Sequence, residues 1–327
     1  MPQVPAGHVR VRIRAAALNH LDLFVLGGLP GVKITPPWIM GADGAGLIDV
    51  GDGEFKAGDA VAINPGISDR TCDYCLRGEQ SLCSNFRLLG EHLPGTFAEY
   101  VVVPTTNVAK IGSGEPLSDD DFIRAAAFPL AALTAWRMMV TRARVQPGED
   151  VLIWGVGGGV AVACLQIAKL IGARAWVTSG SEEKLAHARA LGADETFNHK
   201  TTEVAREIRT RTNKRGMAVV VDNVGTATWN QSLFALSKGG RLVTCGATSG
   251  PAVELDLRKL FWNQYELIGS TMGNDSEFAM VVDEFNRGKL IPHVDSVFNL
   301  EDGRKAFEHL ERAEQFGKIV LRVSGDA

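Results

Sequence analysis

Residues 149–175 read EDVLIWGVGGGVAVACLQIAKLIGARA, and this stretch decides the fold. Val151 to Trp154 is a short apolar run of the kind that forms a strand buried on both faces of a parallel sheet. It passes directly into Gly155-Val156-Gly157-Gly158-Gly159-Val160-Ala161 and then into a helix-periodic segment over 162–171. Strand, glycine turn and helix in that order are the context in which a glycine fingerprint binds a dinucleotide. Without side chains, the turn lets backbone N–H groups meet a pyrophosphate, and the helix N-terminus adds about half a positive charge. Counted strictly from Gly155, the last fingerprint position is Val160. A turn one residue longer places Ala161 there, where a small residue lets the helix pack close to the strand, and this is the preferred reading. Residues 151–168 carry no charge, but clustered glycines behind a strand make a poor lipid-facing helix, so a membrane span is not expected.

Working outward, 327 residues exceed what one hydrophobic core usually serves, so two domains are expected. The hydrophobic fraction is 45% and the charged fraction 22%, ordinary for a globular protein. A net charge of −4 offers no electrostatic basis for binding nucleic acid or an anionic membrane. The start, MPQVPAGHVRVRIR, has no apolar core of a secretory signal. Five cysteines, three of them clustered at metal-like spacing, argue against a disulfide framework and make reducing cytoplasm the expected location.

Near the start, Val9, Val11 and Ile13 alternate with Arg10, Arg12 and Arg14, the pattern of a half-buried strand. Met40 to Val50, with glycines at 41, 44 and 46, suggests a tightly bent strand, and Ala60 to Ile63 another. Short strands and turns up to about Pro104 predict a small, mostly antiparallel barrel. An alanine-rich helical stretch then covers 125–140, interrupted at Pro129. After Gln146-Pro147-Gly148, strands are expected at 174–178, 195–198, 217–222, 240–245 and 266–271, with helices at 182–190, 202–212 and 228–237. That alternation predicts a doubly wound parallel sheet of about six strands. Helices at 276–288 and 301–313 and a closing strand at Lys318 to Val323 complete the chain, and this tail could belong with the N-terminal domain.

Taken in order, Ala17-Leu18-Asn19-His20-Leu21-Asp22, Gly41-Ala42-Asp43-Gly44-Ala45-Gly46, Gly95-Thr96-Phe97-Ala98-Glu99-Tyr100, Leu133-Thr134-Ala135-Trp136, the 151–169 turn and Gly317-Lys318-Ile319-Val320-Leu321 carry a resemblance. The chain resembles the medium-chain dehydrogenase/reductase superfamily over nearly its whole length, and looks closest to the quinone-oxidoreductase-like members. The resemblance implies a GroES-like β-barrel catalytic domain (1–123 and 272–327, with a structural zinc lobe at 66–90). It also implies a Rossmann dinucleotide-binding domain (124–271) and an active site in the cleft between the two. Family members normally carry a longer N-terminal segment with a first strand before Val9, so truncation or a differently built barrel edge is expected here.

Asp69-x2-Cys72-x2-Cys75-x7-Cys83 lies in a polar loop with the cysteine spacing of a structural zinc lobe. The resemblance places Asp69 where the family has its first cysteine. A carboxylate can ligate zinc, so one zinc per chain, without a catalytic role, is expected. The family's catalytic zinc ligands fall on Asn19, Ala42 and Leu130. Ala and Leu have no donor, and an Asn carbonyl is a poor zinc ligand. His20 and Asp43 stand beside these positions and could improvise a site, but zinc needs three protein ligands held in geometry. The hydroxyl that begins the family's alcohol proton relay aligns with Leu21.

A nicotinamide without a Lewis acid can still reduce an electron-poor acceptor, because quinones and α,β-unsaturated carbonyls take the arriving charge into their own oxygen. Asn19 and Asp22 match the N-x-x-D pattern of zinc-free family members. Asn19 is expected to donate to the substrate oxygen or the nicotinamide ribose while Asp22 orients the loop, and His20 is a candidate proton donor. An NAD-preferring fold places a carboxylate after the second strand, on the ribose 2′-OH. Here that strand ends Val177-Thr178-Ser179-Gly180-Ser181. Ser179 falls at the acidic position, and Lys184 matches a family phosphate-binding lysine. NADPH is therefore expected over NADH. The resemblance further places Thr134 beside the nicotinamide, Asn223 and Cys245-Gly246-Ala247 at the cofactor edge of the sheet, Ser270, Thr271 and Met272 at the carboxamide, and Lys318 near the pyrophosphate. Cys245, at a strand end, reads as a small packing residue rather than a nucleophile.

The expected protein is a cytosolic NADPH-dependent reductase of quinones or enones without catalytic zinc, with a small-molecule substrate and a homodimeric or homotetrameric assembly. A zinc alcohol dehydrogenase with unorthodox ligands and a non-catalytic NADPH-binding sensor or structural protein are the competing readings.

Overall fold

The computed structural model describes residues 1–29, 31–112 and 114–323. The chain divides into two units: Met1–Leu133 with Gly273–Ala327, and Thr134–Met272. Residues 124–133, expected with the nucleotide domain, group with the first unit instead, and Met272, expected with the first domain, groups with the second. Part of the reason is that Phe128 is buried and stacks on Phe285, with ring centroids 4.4 Å apart.

In the first unit, strand His8–Ala17 alternates as its sequence predicts, Val9, Val11 and Ile13 being almost fully buried. It is not an edge. It pairs antiparallel with Asp43–Val50, Tyr100–Pro104 and the C-terminal strand Lys318–Arg322. The seven-stranded sheet runs Val294–Asn299, Lys318–Arg322, His8–Ala17, Asp43–Val50, Ala60–Ile63, Val108–Lys110, with Tyr100–Pro104 branching from His8–Ala17. The C-terminal tail thus closes the N-terminal sheet. Its core joins Val9, Val11, Ile13, Val61, Ile63, Val101 and Val103. A two-stranded ribbon, Gly66–Ile67 with Arg87–Leu88, flanks the cysteine loop.

The second unit is a six-stranded parallel sheet in the order Glu195–Asn198, Arg174–Ser179, Asp150–Ile153, Met217–Val221, Leu236–Thr244, Glu266–Gly269. Numbered along the chain that order is 3-2-1-4-5-6, the doubly wound dinucleotide-binding arrangement. Two departures from the sequence reading stand out. The 125–140 helix is three pieces, Asp119–Ala126, Pro129–Trp136 and a π-turn at Arg137–Arg142, because proline at 129 restarts the helix. Helix Leu257–Asn263 and strand Val294–Asn299 were not expected. No helix among the described residues is long and apolar enough to cross a membrane.

Candidate functional site

In the second unit, strand Asp150–Ile153 leads into the glycine turn, and helix Gly159–Ile171 starts with Gly158 as its cap. Ala161 is buried at 6% exposure whereas Val160 is only half-buried, so the longer turn is the one formed. Thr178 pins the turn: its hydroxyl accepts from Gly155 N–H at 3.0 Å and its carbonyl from Val156 N–H at 2.7 Å. Gly157 has φ +156°, and a Cβ there would lie 3.1 Å from Lys184 Cδ and 3.4 Å from its Nζ. The bare glycine therefore leaves room for the Lys184 ammonium beside the helix N-terminus.

Ser181 caps helix Glu182–Ala190, and its hydroxyl accepts from Lys184 N–H. Ser179 accepts from Ser181 N–H at 3.3 Å. Gly180 faces two further residues that the sequence reading missed: a Cβ on it would meet Lys200 Cε at 2.7 Å and His199 Nε2 at 3.1 Å. No acidic side chain is among these contacts of Gly157 and Gly180. A glycine next to a helix could have signalled close approach, but not by whom.

Asn223 Oδ1 accepts from Cys245 N–H at 3.1 Å and lies 3.2 Å from its sulfur, locking two strand ends together. Burial pushes the Cys245 thiol up to about 12, so it is a protonated packing group rather than a nucleophile. Gly246 and Ala247 continue this strand end, and Thr248 N–H donates to Asn223 O at 3.2 Å. Thr134 donates to the Met272 sulfur at 3.7 Å. Ser270 follows strand Glu266–Gly269, with Thr271 next; the Ser270 hydroxyl is buried and has no hydrogen-bond partner among the described residues. A cradle of bare glycine backbone and an orphaned hydroxyl fit a dinucleotide with a carboxamide to hold.

The first unit holds a second cluster. Ala17 of strand His8–Ala17 lies between Asp43 and Val320 of its two neighbours. That register brings Asn19, Asp43 and Lys318 together. Lys318 Nζ donates to Asn19 Oδ1 at 2.5 Å and to Asp43 Oδ2 at 2.8 Å. Asn19 Nδ2 donates to the same Asp43 oxygen at 2.9 Å, and Asp43 Oδ1 accepts from Leu130 N–H at 2.7 Å. Lys318 and Asp43 side chains are 4% and 0% exposed. Gly317 makes the placement possible: its φ is +94° and a Cβ would fall 2.2 Å from His293 O.

Asn19 also caps helix His20–Gly27, where Asp22 Oδ2 accepts from Asn19 N–H at 2.7 Å. Burial raises the Asp22 carboxyl from 3.8 to about 7, against the pull of the Asn19 N–H and the Lys318 charge. His20 is exposed as a residue, yet partial burial of its ring and then Lys318 push its pKa below the usual imidazole value.

Two expectations change here. The Asn19 amide does not face an open site: its oxygen takes Lys318 and its nitrogen is directed to Asp43. Lys318, expected at a pyrophosphate, has its ammonium committed within its own unit. The donor set does not fit a catalytic zinc either. Ala42 and Leu130 offer no donor atom, and Asp43 holds an ammonium and two N–H groups that a metal would have to displace.

The lobe does fit a metal. One ligand atom from each of Asp69, Cys72, Cys75 and Cys83 lies within 4.8 Å of the other three, and this is the one such group among the described residues. Cys72 and Cys75 sulfurs are 3.6 Å apart; two bonds of about 2.3 Å at a tetrahedral zinc require about 3.8 Å. Asp69 N–H and Asn85 N–H both donate to Cys83 Sγ at 3.3 Å, and Asn85 Nδ2 donates to Asp69 Oδ2 at 2.8 Å. Backbone N–H donors hold the Asp69 carboxyl well below the ordinary range, keeping it anionic. Such outer hydrogen bonds orient ligands.

A barrel-like sheet closed by its own C-terminus, a doubly wound sheet with a glycine turn, and a cysteine lobe define a two-unit dehydrogenase. Residues 5–113 match the alcohol dehydrogenase GroES-like domain, and residues 159–287 match the zinc-binding dehydrogenase family. The chain is 32% identical to an NAD-dependent alcohol dehydrogenase of Sulfolobus acidocaldarius, over 99% of this chain and 94% of the relative. It is likewise 32% identical to an acryloyl-coenzyme A reductase of Metallosphaera sedula, over 98% and 93%. A crystal structure of an NAD-dependent alcohol dehydrogenase superimposes with TM-score 0.93 at 44% identity, covering 99% of this chain and 94% of that one. The chain belongs to the medium-chain dehydrogenase/reductase superfamily, and it is an oxidoreductase of the NAD(P)-dependent kind.

Proposed function

We propose that this protein is an NADPH-dependent reductase of quinones or α,β-unsaturated carbonyls that works without a catalytic zinc and carries one structural zinc. The observation behind the metal-free chemistry is the Asn19–Asp43–Lys318 cluster, in which an ammonium already claims the donors a metal would need. The similarity to an acryloyl-coenzyme A reductase is in line with reduction of an activated double bond. A reduced nicotinamide bound there would supply a hydride to an electron-poor carbon of the acceptor, with the balancing proton drawn from water.

This chain's residues do the rest. The Gly155–Gly159 turn and the helix N-terminus would hold the pyrophosphate, Asn223 and Gly246 line the strand ends, and the buried Ser270 hydroxyl would meet the carboxamide. Thr134 and Met272 wall the ring. Ser179, Ser181 and Lys184, joined by Lys200 and His199, receive the 2′-phosphate. Asn19 orients Lys318 rather than donating to substrate itself, and Asp22 fixes Asn19 through the helix cap. His20, whose imidazole pKa burial and then Lys318 push below the usual value, is the candidate proton donor at the surface.

The test is turnover of a quinone and enone panel with NADPH in the presence of a chelator. Sustained reduction, with N19A slower, supports the reading; N19A with unchanged turnover removes Asn19 from the mechanism. Alcohol–carbonyl interconversion is the second reading, favoured by the names of the relatives. Oxidation of simple alcohols that a chelator abolishes would establish it instead.

A further inference from the structure

Thr178, near the end of strand Arg174–Ser179, is fully buried. Its hydroxyl oxygen accepts from Gly155 N–H at 3.0 Å, so its own hydrogen still needs an acceptor. Among the described residues that acceptor is His199 Nδ1, at 3.3 Å. The opposite assignment, with Nδ1–H donating, would leave the buried Thr178 O–H without a partner, which costs more than the bond returns. Neutral His199 therefore carries its hydrogen on Nε2. Burial and then the Lys200 charge push the His199 pKa below the usual imidazole value, which favours this neutral form. The ring is also placed by its backbone, since His199 N–H donates to Ser179 O at 3.1 Å just beyond the parallel pairing of Asn198 with Ser179.

Nε2 has no hydrogen-bond partner among the described residues and faces Gly180, where a Cβ would lie 3.1 Å from it. Lys200 Cε lies 2.7 Å from the same position. Neither residue is paired with a carboxylate among the described residues, and Glu182, which begins the next helix, accepts from Asn198 Nδ2 instead. Both side chains belong to exposed residues, so a solute reaches them. We propose that Thr178 and His199 form a relay that reads the coenzyme's second phosphate: Gly155 N–H orders the Thr178 hydroxyl, the hydroxyl orders the imidazole, and Nε2–H meets a 2′-phosphate beside the Lys200 ammonium. This rests on the NADPH reading above, and every group in it belongs to the second unit. Thr178 is the positioning residue; His199 and Lys200 are the contacts. A fixed N–H and an ammonium gain far more from a phosphate dianion than from a neutral ribose hydroxyl, so the pair sets coenzyme choice. Because the relay starts at Gly155, one chain of hydrogen bonds ties the glycine turn to the second-phosphate site.

The experiment needs no turnover. Two ligands that differ only in the phosphate, 2′,5′-ADP and 5′-AMP, are titrated calorimetrically into the full-length wild type, H199L, H199Q, K200M, T178V and T178S at about pH 8, above the imidazole range. Wild type is expected to prefer 2′,5′-ADP. H199L and K200M should each cut that preference about tenfold, the worth of a hydrogen bond to a charged group, with 5′-AMP affinity unchanged. H199Q, whose amide N–H replaces Nε2–H, should keep it within about threefold. In parallel, ¹⁵N NMR of histidine-labelled, ligand-free protein reads the tautomer, the His199 signals being those of the seven histidines that vanish in H199Q. Wild type and T178S should carry the hydrogen on Nε2, whereas T178V should populate both tautomers and lose part of the preference. A hydrogen on Nδ1 in the wild type overturns the proposal whether or not any variant folds. So does a T178V protein with tautomer and preference unchanged. A wild-type preference that survives H199L sinks the relay alone, whereas equal binding of the two ligands by wild type sinks the NADPH reading beneath it.

Discussion

Replacing Asp22 by asparagine tests the electrostatics of the first unit. Asp22 is 2% exposed, and burial lifts its carboxyl from 3.8 to about 7. Between those values the folded chain keeps a proton that the unfolded chain has released, so stability falls as pH rises through the window. The penalty is absent below about pH 4 and complete above about pH 7. At about 1.4 kcal/mol per pH unit, it amounts to roughly 4 kcal/mol. The D22N side chain would keep an acceptor for the Asn19 N–H but has nothing to ionise. The wild type should therefore lose about 4 kcal/mol more than D22N between pH 4 and pH 8, and the difference should level off above pH 7. The assay is urea unfolding at a series of pH values. Trp38 is the first unit's own reporter among six tryptophans, so 5-fluorotryptophan labelling lets its ¹⁹F resonance follow that unit by itself. Parallel pH profiles for the two proteins would refute the claim that Asp22 is held protonated by burial.

The cysteine lobe predicts about one zinc per chain by elemental analysis; stripping it should expose Cys72, Cys75 and Cys83 to a thiol reagent while Cys164 and Cys245 stay slow, and a metal-free native protein would contradict this. K184A should raise the KM for NADPH about tenfold or more, the worth of a charged hydrogen bond, and leave that for NADH unchanged; similar catalytic efficiency of the wild type with both coenzymes would defeat the preference. G317A should destabilise the first unit by more than the roughly 1–2 kcal/mol of a left-handed alanine, because its Cβ would also press on His293 O; an unchanged melting temperature would show that the turn can relax.

Some elements escaped the sequence reading for local reasons. Helix Leu257–Asn263 has no buried residue, and its Leu257, Phe261 and Trp262 are exposed, so there was no amphipathic rhythm to see. Strand Val294–Asn299 alternates between half-buried and exposed, but Ser296 sits on the inner side and Val297 on the outer, which hides the period. Lys200 and His199 were missed because their importance lies in what they touch across Gly180, and glycine carries no signature of its neighbour.

What the chain announced by itself is whatever depends on short-range order. The alternation of Val9, Val11 and Ile13 with arginines dictates a half-buried strand, and 149–175 dictates strand, bare turn and helix, because period and glycine act within a few residues. The spacing of Asp69, Cys72, Cys75 and Cys83 dictates a candidate metal lobe in the same way. The Asn19–Asp43–Lys318 cluster is of another kind. It exists because three strands from distant parts of the chain pair in one register, and a shift of a single residue would turn Asp43 to the opposite face. Sequence supplies the charges; only long-range strand pairing decides that the ammonium meets the amide and carboxylate beside it.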